Sequence, residues 1–173
     1  MKESIRGIDH IGITVPDIDA ATDFLRAALG AELIYESVGL NDESPDEEAQ
    51  QKTLRLTPGT VVQAVRMLKL HHGPGIELFQ MRGPSQREPL RANDYGLQHF
   101  AVYCDDINAA LDRFATAGGE VFTQPQPLGF PTEKGAGNAF CYGRAPWGTI
   151  IEFITTPSPM PYEQQTPLRR WKP

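Results

Sequence analysis

Two stretches of the chain combine an alternating pattern of apolar and polar residues with a helical one. In residues 8–15 the isoleucines and Val15 alternate with small or polar residues that include His10. This alternation predicts a half-buried strand. Asp17 follows as a candidate N-cap, and the next apolar residues recur at helical spacing as far as a terminating Gly30. The apolar face of this predicted helix comprises Ile18, Ala21, Phe24, Leu25 and Leu29.

The same pattern returns at a constant offset of 89 residues, the difference between His10 and His99. Residues 97–104 alternate again, and Asp105-Asp106 begin a second helix that runs to about residue 117. The identical pairs at this offset include His10/His99, Asp17/Asp106, Ile18/Ile107, Ala20/Ala109, Ala21/Ala110, Asp23/Asp112 and Gly30/Gly119. So many identities at one offset indicate that a strand–helix unit is duplicated.

Three further strands are predicted after each helix. They are Glu32–Ser37, Thr60–Lys69 and Gly75–Met81 in the first half, and Glu120–Thr123, Asn138–Gly143 and Thr149–Thr155 in the second. The predicted fold class is therefore α+β, with two tandem βαβββ modules over residues 5–82 and 96–156.

Three segments lie outside this pattern. The acidic insert at about residues 41–52 is almost free of apolar residues and is predicted to be a solvated or disordered loop. Residues 83–95, rich in Pro, Arg and polar residues, are predicted to be a linker between the modules. Residues 157–173 carry several prolines and are predicted to be an extended C-terminal arm, in which Trp171 packs on the body or on a partner chain.

Net charge, apolar content and cysteine count argue against some classes of binding partner and cellular location. The 173 residues are 40% hydrophobic and carry a net charge of -6, which argues against nonspecific binding to nucleic acid or to an anionic membrane. No apolar run approaches the roughly 20 residues of a membrane span. Two cysteines are too few for a disulfide framework, so a reducing, cytoplasmic location is expected.

Four residues that can bind a metal occupy equivalent places in the two halves. His10 and His99 lie on the first strands, and Glu77 and Glu152 lie within apolar last strands. A carboxylate in such a strand is costly unless it is paired or binds a metal. Two imidazoles and two carboxylates suit one divalent transition metal such as Ni, Co, Zn, Mn or Fe.

Three segments, DHIGITVPDIDAATDFLRAALGAEL, LQHFAVYCDDINAALDRFATAGGEV and PWGTIIEF, resemble the vicinal oxygen chelate superfamily, also called the glyoxalase/bleomycin-resistance/dioxygenase group. The resemblance covers about residues 5–156. It implies an open, cup-shaped mixed β-sheet around a metal cleft, with ligands at His10, Glu77, His99 and Glu152. Binding-only members typically lack this ligand set, so its presence favours an enzyme.

The ligand set also helps to choose among the reactions that the resemblance implies. The set of two histidines and two glutamates is similar to that of bacterial glyoxalases, whereas methylmalonyl-CoA epimerases typically carry Gln at the position of Glu77. We expect a divalent-metal-dependent lyase or isomerase, glyoxalase- or epimerase-like, that moves a proton next to a metal-chelated carbonyl through an enediolate. Glu77 and Glu152 are the candidate catalytic base and acid.

Two alternatives stay open. One is an Fe(II)-dependent ring-cleaving or other dioxygenase of the same superfamily, and the other is a non-catalytic small-molecule-binding protein. The expected partner is a small molecule with a chelatable carbonyl or vicinal oxygens. The resemblance alone implies glutathione adducts and acyl-CoA esters as carriers, and no residue of the sequence chooses between them. A homodimer is also expected, with the site either within one chain or across two.

Weaker signals suggest residues for substrate binding. A glycine-rich loop at residues 129–138 is as compatible with an ordinary connection as with a substrate lid. The substrate-binding candidates are Tyr103, Phe130, Lys134, Asn138 and Arg144. Cys104 shares the helix-facing side of its strand and is predicted to be a core residue rather than a nucleophile.

Overall fold

The computed structural model describes residues 5–42 and 46–173. The first four residues, and residues 43–45 of the predicted acidic insert, lie outside the described residues. The described residues divide into two compact units, one extending to residue 87 but without residues 27–29, and the other comprising residues 27–29 and 88–173. No helix in the described ranges has the length and apolar character needed to cross a membrane.

The first unit contains one four-stranded mixed sheet. Its strands have the order β1-β4-β3-β2, and β1 runs parallel to β4 while the other neighbours are antiparallel. The elements are β1 (His10–Val15), α1 (Ile18–Leu29), β2 (Glu32–Val38), α2 (Glu47–Leu54), β3 (Val61–Lys69) and β4 (Gly75–Arg82). This is the predicted βαβββ order with one helix added.

The second unit repeats the arrangement. Its strands have the order β5-β9-β8-β6, with β7 paired to β8 and with β5 parallel to β9. The elements are β5 (Phe100–Tyr103), α3 (Ile107–Thr116), β6 (Glu120–Val121), β7 (Gln126–Pro127), β8 (Ala139–Arg144) and β9 (Ile150–Thr155), followed by a 3₁₀ turn at Pro161–Gln164. The α+β class with two mixed sheets is confirmed.

The helix signals in the sequence have the expected structural counterparts. Asp17 accepts a hydrogen bond from the Ala20 amide, and Asp106 accepts hydrogen bonds from the Asn108 and Ala109 amides. Gly30 ends α1 in the left-handed conformation, with φ of 69°, which glycine adopts at little cost. All five residues of the predicted apolar face of α1 are buried.

Each sheet separates an apolar face from a more polar one. In β4, Ile76 and Leu78 are buried, and in β9, Ile151 and Phe153 are buried. The ring of Phe114 on α3 packs edge-on against Phe153, with ring centres 5.0 Å apart. The residues between these buried positions face the other side of each sheet, where the candidate site residues lie.

The prediction of a loop over the acidic insert is wrong for residues 47–52, which form most of α2. Asp46 caps this helix by accepting hydrogen bonds from the Glu48 and Ala49 amides. Glu47 and Glu48 lie in the first turn, where carboxylates interact favourably with the helix dipole. An acidic, apolar-poor sequence thus forms a helix whose cap and first turn carry local helix signals, although no α2 residue is buried as a whole.

The C-terminal arm is also more structured than predicted. Its 3₁₀ turn follows Met160, which is buried, and Tyr162 donates its backbone N–H to the Thr132 carbonyl over 3.0 Å. Further on, Tyr103 donates its hydroxyl to the Trp171 carbonyl over 2.7 Å. Of the two predicted locations for Trp171, the structure therefore shows contact with the chain's own second unit.

Candidate functional site

His10 and Glu77 lie side by side on the open face of the first sheet. Glu77 is paired with Gly12 in the parallel register of β1 and β4, so it shares a face with His10, two residues before Gly12. His10 Nε2 lies 3.2 Å from Glu77 Oε2. The half-exposed imidazole and the less exposed carboxylate are therefore within reach of a molecule above the sheet.

His99 and Glu152 repeat this arrangement in the second unit. His99 directly precedes β5, and Glu152 is paired with Ala101, which corresponds to Gly12 at the offset of 89 residues. His99 Nε2 lies 3.1 Å from Glu152 Oε2. Beside each carboxylate, the neighbouring residue on the first strand is small, which leaves space on the open face.

The other ring nitrogen of each histidine contacts an oxygen of the preceding residue. His10 Nδ1 lies 2.8 Å from an Asp9 carboxylate oxygen, and His99 Nδ1 lies 2.8 Å from the Gln98 side-chain oxygen. Oxygens of these kinds only accept, so Nδ1 donates, and in a neutral imidazole Nε2 carries a lone pair. Each Nε2 then faces a carboxylate oxygen, an arrangement that a proton or a cation between the two atoms would stabilise.

Both pairs fit adjacent ligands of a divalent metal. Bonds of about 2.1 Å to nitrogen and oxygen, held at a right angle, place the two donor atoms about 3.0 Å apart. The observed separations of 3.2 and 3.1 Å are close to that value. Within residues 5–42 and 46–173, no three His, Cys, Asp or Glu side chains cluster as a ready-made ion site.

The charge environment of His10 favours its protonated form. The hydrogen bond with Asp9 has the largest effect, burial opposes it, and the negative charges of Glu77 and Asp9 add to it. The net result is a raised pKa for His10. A metal at Nε2 competes with that proton, because only the neutral ring can coordinate.

The second unit adds an aromatic residue that has no counterpart in the first. Tyr142 lies directly across from Glu152 in the pairing of β8 with β9, whereas Met67 occupies the corresponding position across from Glu77. The Tyr142 ring meets the His99 ring edge-on, with centres 5.1 Å apart. Burial, together with the charges of Glu152 and Glu133, raises the pKa of Tyr142, so its hydroxyl stays protonated at neutral pH.

The five substrate-binding candidates occupy different environments. Tyr103 shares the open face with Ala101, whereas Phe130 and Lys134 are exposed on the loop. Asn138 is buried, and both of its side-chain N–H groups bond to backbone carbonyls, those of Glu133 and Ser158. The Arg144 guanidinium binds Glu120, with Nη2 2.5 Å from the carboxylate. A substrate role for each of these residues stays a prediction.

Cys104 lies in surroundings that suppress thiol reactivity. Burial raises the pKa of its thiol to about 11, and the nearby backbone hydrogen bond and the Arg113 charge only partly oppose that effect. The thiol is therefore protonated at neutral pH, and a protonated thiol is a poor nucleophile. Cys104 directly follows β5 and is half-buried, so it lies at the edge of the core and not within it as predicted, while its raised pKa agrees with the prediction that it is no nucleophile.

The sequence analysis did not single out Asp9, Gln98 or Tyr142. Asp9 and Gln98 are themselves related by the offset of 89 residues, so a comparison of the residues that precede each histidine could have found them. Tyr142 could not be found that way, because its role depends on the register between β8 and β9. The packing of the C-terminal arm against Tyr103 also has no signal in the repeat.

Comparisons with known proteins agree with this architecture. Residues 9–142 match the sequence profile of the Glyoxalase/Bleomycin resistance protein/Dioxygenase superfamily. Among solved structures, a glyoxalase family protein from Bacillus cereus superposes with a TM-score of 0.66 at 20% identity. The superposition covers 89% of this chain and 96% of that chain, which supports the fold assignment.

Two relatives of known activity are more similar in sequence. A 2-epi-5-epi-valiolone epimerase from Actinomyces sp is 33% identical over 169 residues, which are 96% of this chain and 88% of that protein. An ethylmalonyl-CoA/methylmalonyl-CoA epimerase from Cereibacter sphaeroides is 30% identical over 120 residues, which are 69% of this chain and 77% of that protein.

Proposed function

Because the chain belongs to the glyoxalase/bleomycin resistance protein/dioxygenase superfamily and has two epimerases among its relatives, we propose that it is a divalent-metal-dependent epimerase. The relatives support an epimerase- or lyase-like enzyme of this superfamily. The observation that supports metal dependence is the repeated His–Glu pair, in which the histidine Nε2 and the glutamate Oε2 lie 3.2 and 3.1 Å apart.

His10, Glu77, His99 and Glu152 are the proposed ligands of the metal, contributed by one chain or by two chains of a homodimer. Their two nitrogen and two oxygen donors suit Ni, Co, Zn, Mn or Fe. Asp9 and Gln98 hold the two imidazoles with Nδ1 as the donor, so that each Nε2 is available to the ion. A metal bound there would supply Lewis-acid stabilisation of the negative charge that develops on the substrate carbonyl oxygen.

The two glutamates are the proposed base and acid. One carboxylate accepts the proton from the carbon next to the carbonyl, the C–H electron pair becomes a carbon–carbon double bond, and the π pair of the carbonyl moves onto its oxygen. The other glutamate, in its protonated form, then gives a proton to the opposite face of that carbon, as the carbon–carbon π pair forms the new C–H bond and the oxygen re-forms the carbonyl. The configuration is inverted, while the number of atoms and electrons is unchanged.

The proposed substrate class is a small hydroxyketone without a carrier group. The relative that matches almost the whole chain acts, by its name, on 2-epi-5-epi-valiolone, a ketone. The relative named for acyl-CoA substrates matches a shorter part of this chain. We therefore propose a ketone as the substrate in preference to an acyl-CoA ester or a glutathione adduct.

The decisive experiment is proton exchange in D₂O. The protein is loaded separately with Ni, Co, Zn, Mn and Fe(II) and incubated with 2-epi-5-epi-valiolone, methylmalonyl-CoA or lactoylglutathione. We expect one deuterium to enter the carbon next to the carbonyl of the ketone, together with formation of an epimer. Exchange with none of these substrates, or oxygen consumption by the iron form, would overturn the proposal.

A further inference from the structure

The open face of the second sheet carries two neighbouring rows of side chains. In the first row, Ala101, Glu152 and Tyr142 lie side by side across β5, β9 and β8. The second row, one pleat further along the strands, consists of Tyr103, Ile154 and Phe140. Glu152 therefore belongs to the first row, next to His99, and Tyr103 and Phe140 lie on either side of Ile154 in the second row.

The second row is covered by other parts of the same unit, whereas Ala101 in the first row is exposed. Leu128 and Met160 pack on Ile154, and Tyr162 packs on the same cluster. At the β5 end of the row, the rings of Tyr103 and Trp171 lie 6.1 Å apart, and Tyr103 donates its hydroxyl to the Trp171 carbonyl. Tyr103, Ile154 and Phe140, together with the side chains that cover them and Trp171, thus form one side of the candidate site, which we call the wall.

Polar contacts hold the arm that carries Trp171. The Arg170 amide donates to the Tyr162 hydroxyl over 3.0 Å, and Lys172 Nζ donates to the Thr156 carbonyl over 3.1 Å. The Arg170 guanidinium also lies 3.5 Å from Glu133. Although its backbone is fixed in this way, Trp171 remains 57% exposed and presents a large amphipathic ring to solvent.

We propose that Tyr103 and Trp171 are specificity-determining residues that close one end of the substrate site. Two residues along a strand span about 7 Å, so the second row lies directly beside the first, and the rings of Phe140 and Tyr142 meet edge-on with centres 5.7 Å apart. A small ring bound above Glu152 would therefore meet the wall at its edge, so the wall selects small hydroxyketones and contributes little to a substrate held through a long carrier. This inference rests on the proposed function, since it names the feature that selects the substrate.

The first test measures contact between a ligand and Trp171. The chain has two tryptophans, so Trp147→Phe leaves Trp171 as the reporter. The metal-loaded variant is titrated with 2-hydroxycyclohexanone, and we expect a saturable change in Trp171 fluorescence. If Trp171 fluorescence does not change at 2-hydroxycyclohexanone concentrations up to 10 mM, which corresponds to about 2.7 kcal/mol of binding free energy, the proposal that Trp171 closes the substrate site is overturned. That outcome is independent of whether the protein proves to be an epimerase.

The second test separates specificity from catalysis. In Trp171→Ala we expect KM for the ketone to rise about tenfold, kcat to change less than twofold, and the constant for inhibition of ketone turnover by methylmalonyl-CoA to stay unchanged. Tyr103→Phe removes the hydrogen bond to the arm and should shift KM in the same direction by a smaller factor. Leu168→Ala, an exposed position on the same arm, is the matched control and should leave both constants unchanged.

The failures of the two proposals look different. In Trp171→Ala, an equal rise in the KM of the ketone and in the inhibition constant of methylmalonyl-CoA, or no change in either, would overturn the proposed wall while leaving the proposed epimerase activity intact. A wild-type protein that exchanges no proton in any substrate would overturn the proposed function, and the fluorescence titration would still decide whether Trp171 lines a binding site.

Discussion

His99 Nε2 lies 3.1 Å from Glu152 Oε2 because the sheet register brings the start of β5 next to the middle of β9. Ala101 is the residue paired with Glu152, and His99 precedes it by two positions. A shift of one residue would turn Glu152 toward the buried face, where Ile151 and Phe153 lie. The contact between His99 and Glu152 therefore depends on the register between β5 and β9.

Replacement of either proposed ligand histidine should weaken metal binding strongly. We expect about one equivalent of divalent metal per chain in the wild-type protein, and at least a hundredfold weaker affinity in His10→Ala and in His99→Ala, because each variant removes one proposed metal ligand. Elemental mass spectrometry of protein purified without tag or chelator measures the content. His72→Ala, at an exposed position outside the pair, is the control and should keep its metal. Full metal content in both ligand variants would show that the ion binds elsewhere.

Replacement of either glutamate by glutamine should affect turnover more than substrate binding. Glutamine keeps an oxygen donor but cannot accept the substrate proton, so kcat should fall by about 10²- to 10⁴-fold in Glu77→Gln and in Glu152→Gln. KM should change only a few-fold. Steady-state kinetics, with deuterium exchange followed by NMR, measure both quantities. Glu120→Gln, which alters an exposed carboxylate paired with Arg144, controls for loss of charge in the second unit. If both ligand-site variants keep full activity, the glutamates are neither base nor acid.

Much of the fold could be predicted because each element has a local signal. Asp17 and Asp106 mark the helix starts, and Gly30 marks the end of α1, since capping depends on a few neighbouring residues. Residues 47–52 were misassigned because apolar content was weighed above Asp46 and the acidic first turn. The cap and the acidic first turn are local signals of that helix, and Gln51 also ties it to the first unit by donating to the Thr60 carbonyl.

The candidate site could be predicted only as far as the repeat reaches. The duplication indicated His10 and His99 together, and the apolar strands indicated Glu77 and Glu152. Tyr142 escaped because the repeat places Met67 at the equivalent position, so only the pairing of β8 with β9 identifies it. Trp171 escaped for a related reason, since its contact with Tyr103 spans 68 residues of sequence.

Close packing around Phe114 should make the second unit sensitive to a single methyl group. A Cβ at Gly143 would lie 2.6 Å from the Phe114 ring and 2.9 Å from the Glu120 carbonyl, and Phe114 is fully buried. We expect Gly143→Ala to lower the free energy of unfolding by about 1–3 kcal/mol through overpacking. Urea denaturation followed by circular dichroism measures the change. Gly129→Ala is the matched control, because its nearest neighbour would lie 3.9 Å away. Equal stability of the two variants would mean that the core relaxes around the methyl group.

The cap of α3 should contribute measurably to stability. Asp106 accepts hydrogen bonds from the Asn108 and Ala109 amides over 3.0 and 3.1 Å, and alanine would leave those donors without this partner. Asp106→Ala should therefore cost about 1 kcal/mol of unfolding free energy. Asp112→Ala changes the same residue type at an exposed position within the helix and should cost nothing, since alanine has the higher helix propensity. A loss of stability in Asp112→Ala as large as that in Asp106→Ala would argue against capping as the cause.

Cys104 should be protected from alkylation until strongly alkaline pH. Burial raises the pKa of its thiol from 9.0 to about 11, so at pH 9 the folded protein holds roughly fifty-fold less thiolate at this position than the unfolded chain does. Since the folded state favours the neutral thiol, the stability linked to this group is present below pH 9 and is lost as the pH rises toward 11. Iodoacetamide labelling with peptide mapping, in buffer and in urea, measures the rates at pH 8 to 11. We expect slow labelling in buffer that accelerates toward pH 11, and rapid labelling in urea. Similar rates in buffer and in urea at pH 9 would show that the thiol is not protected by burial.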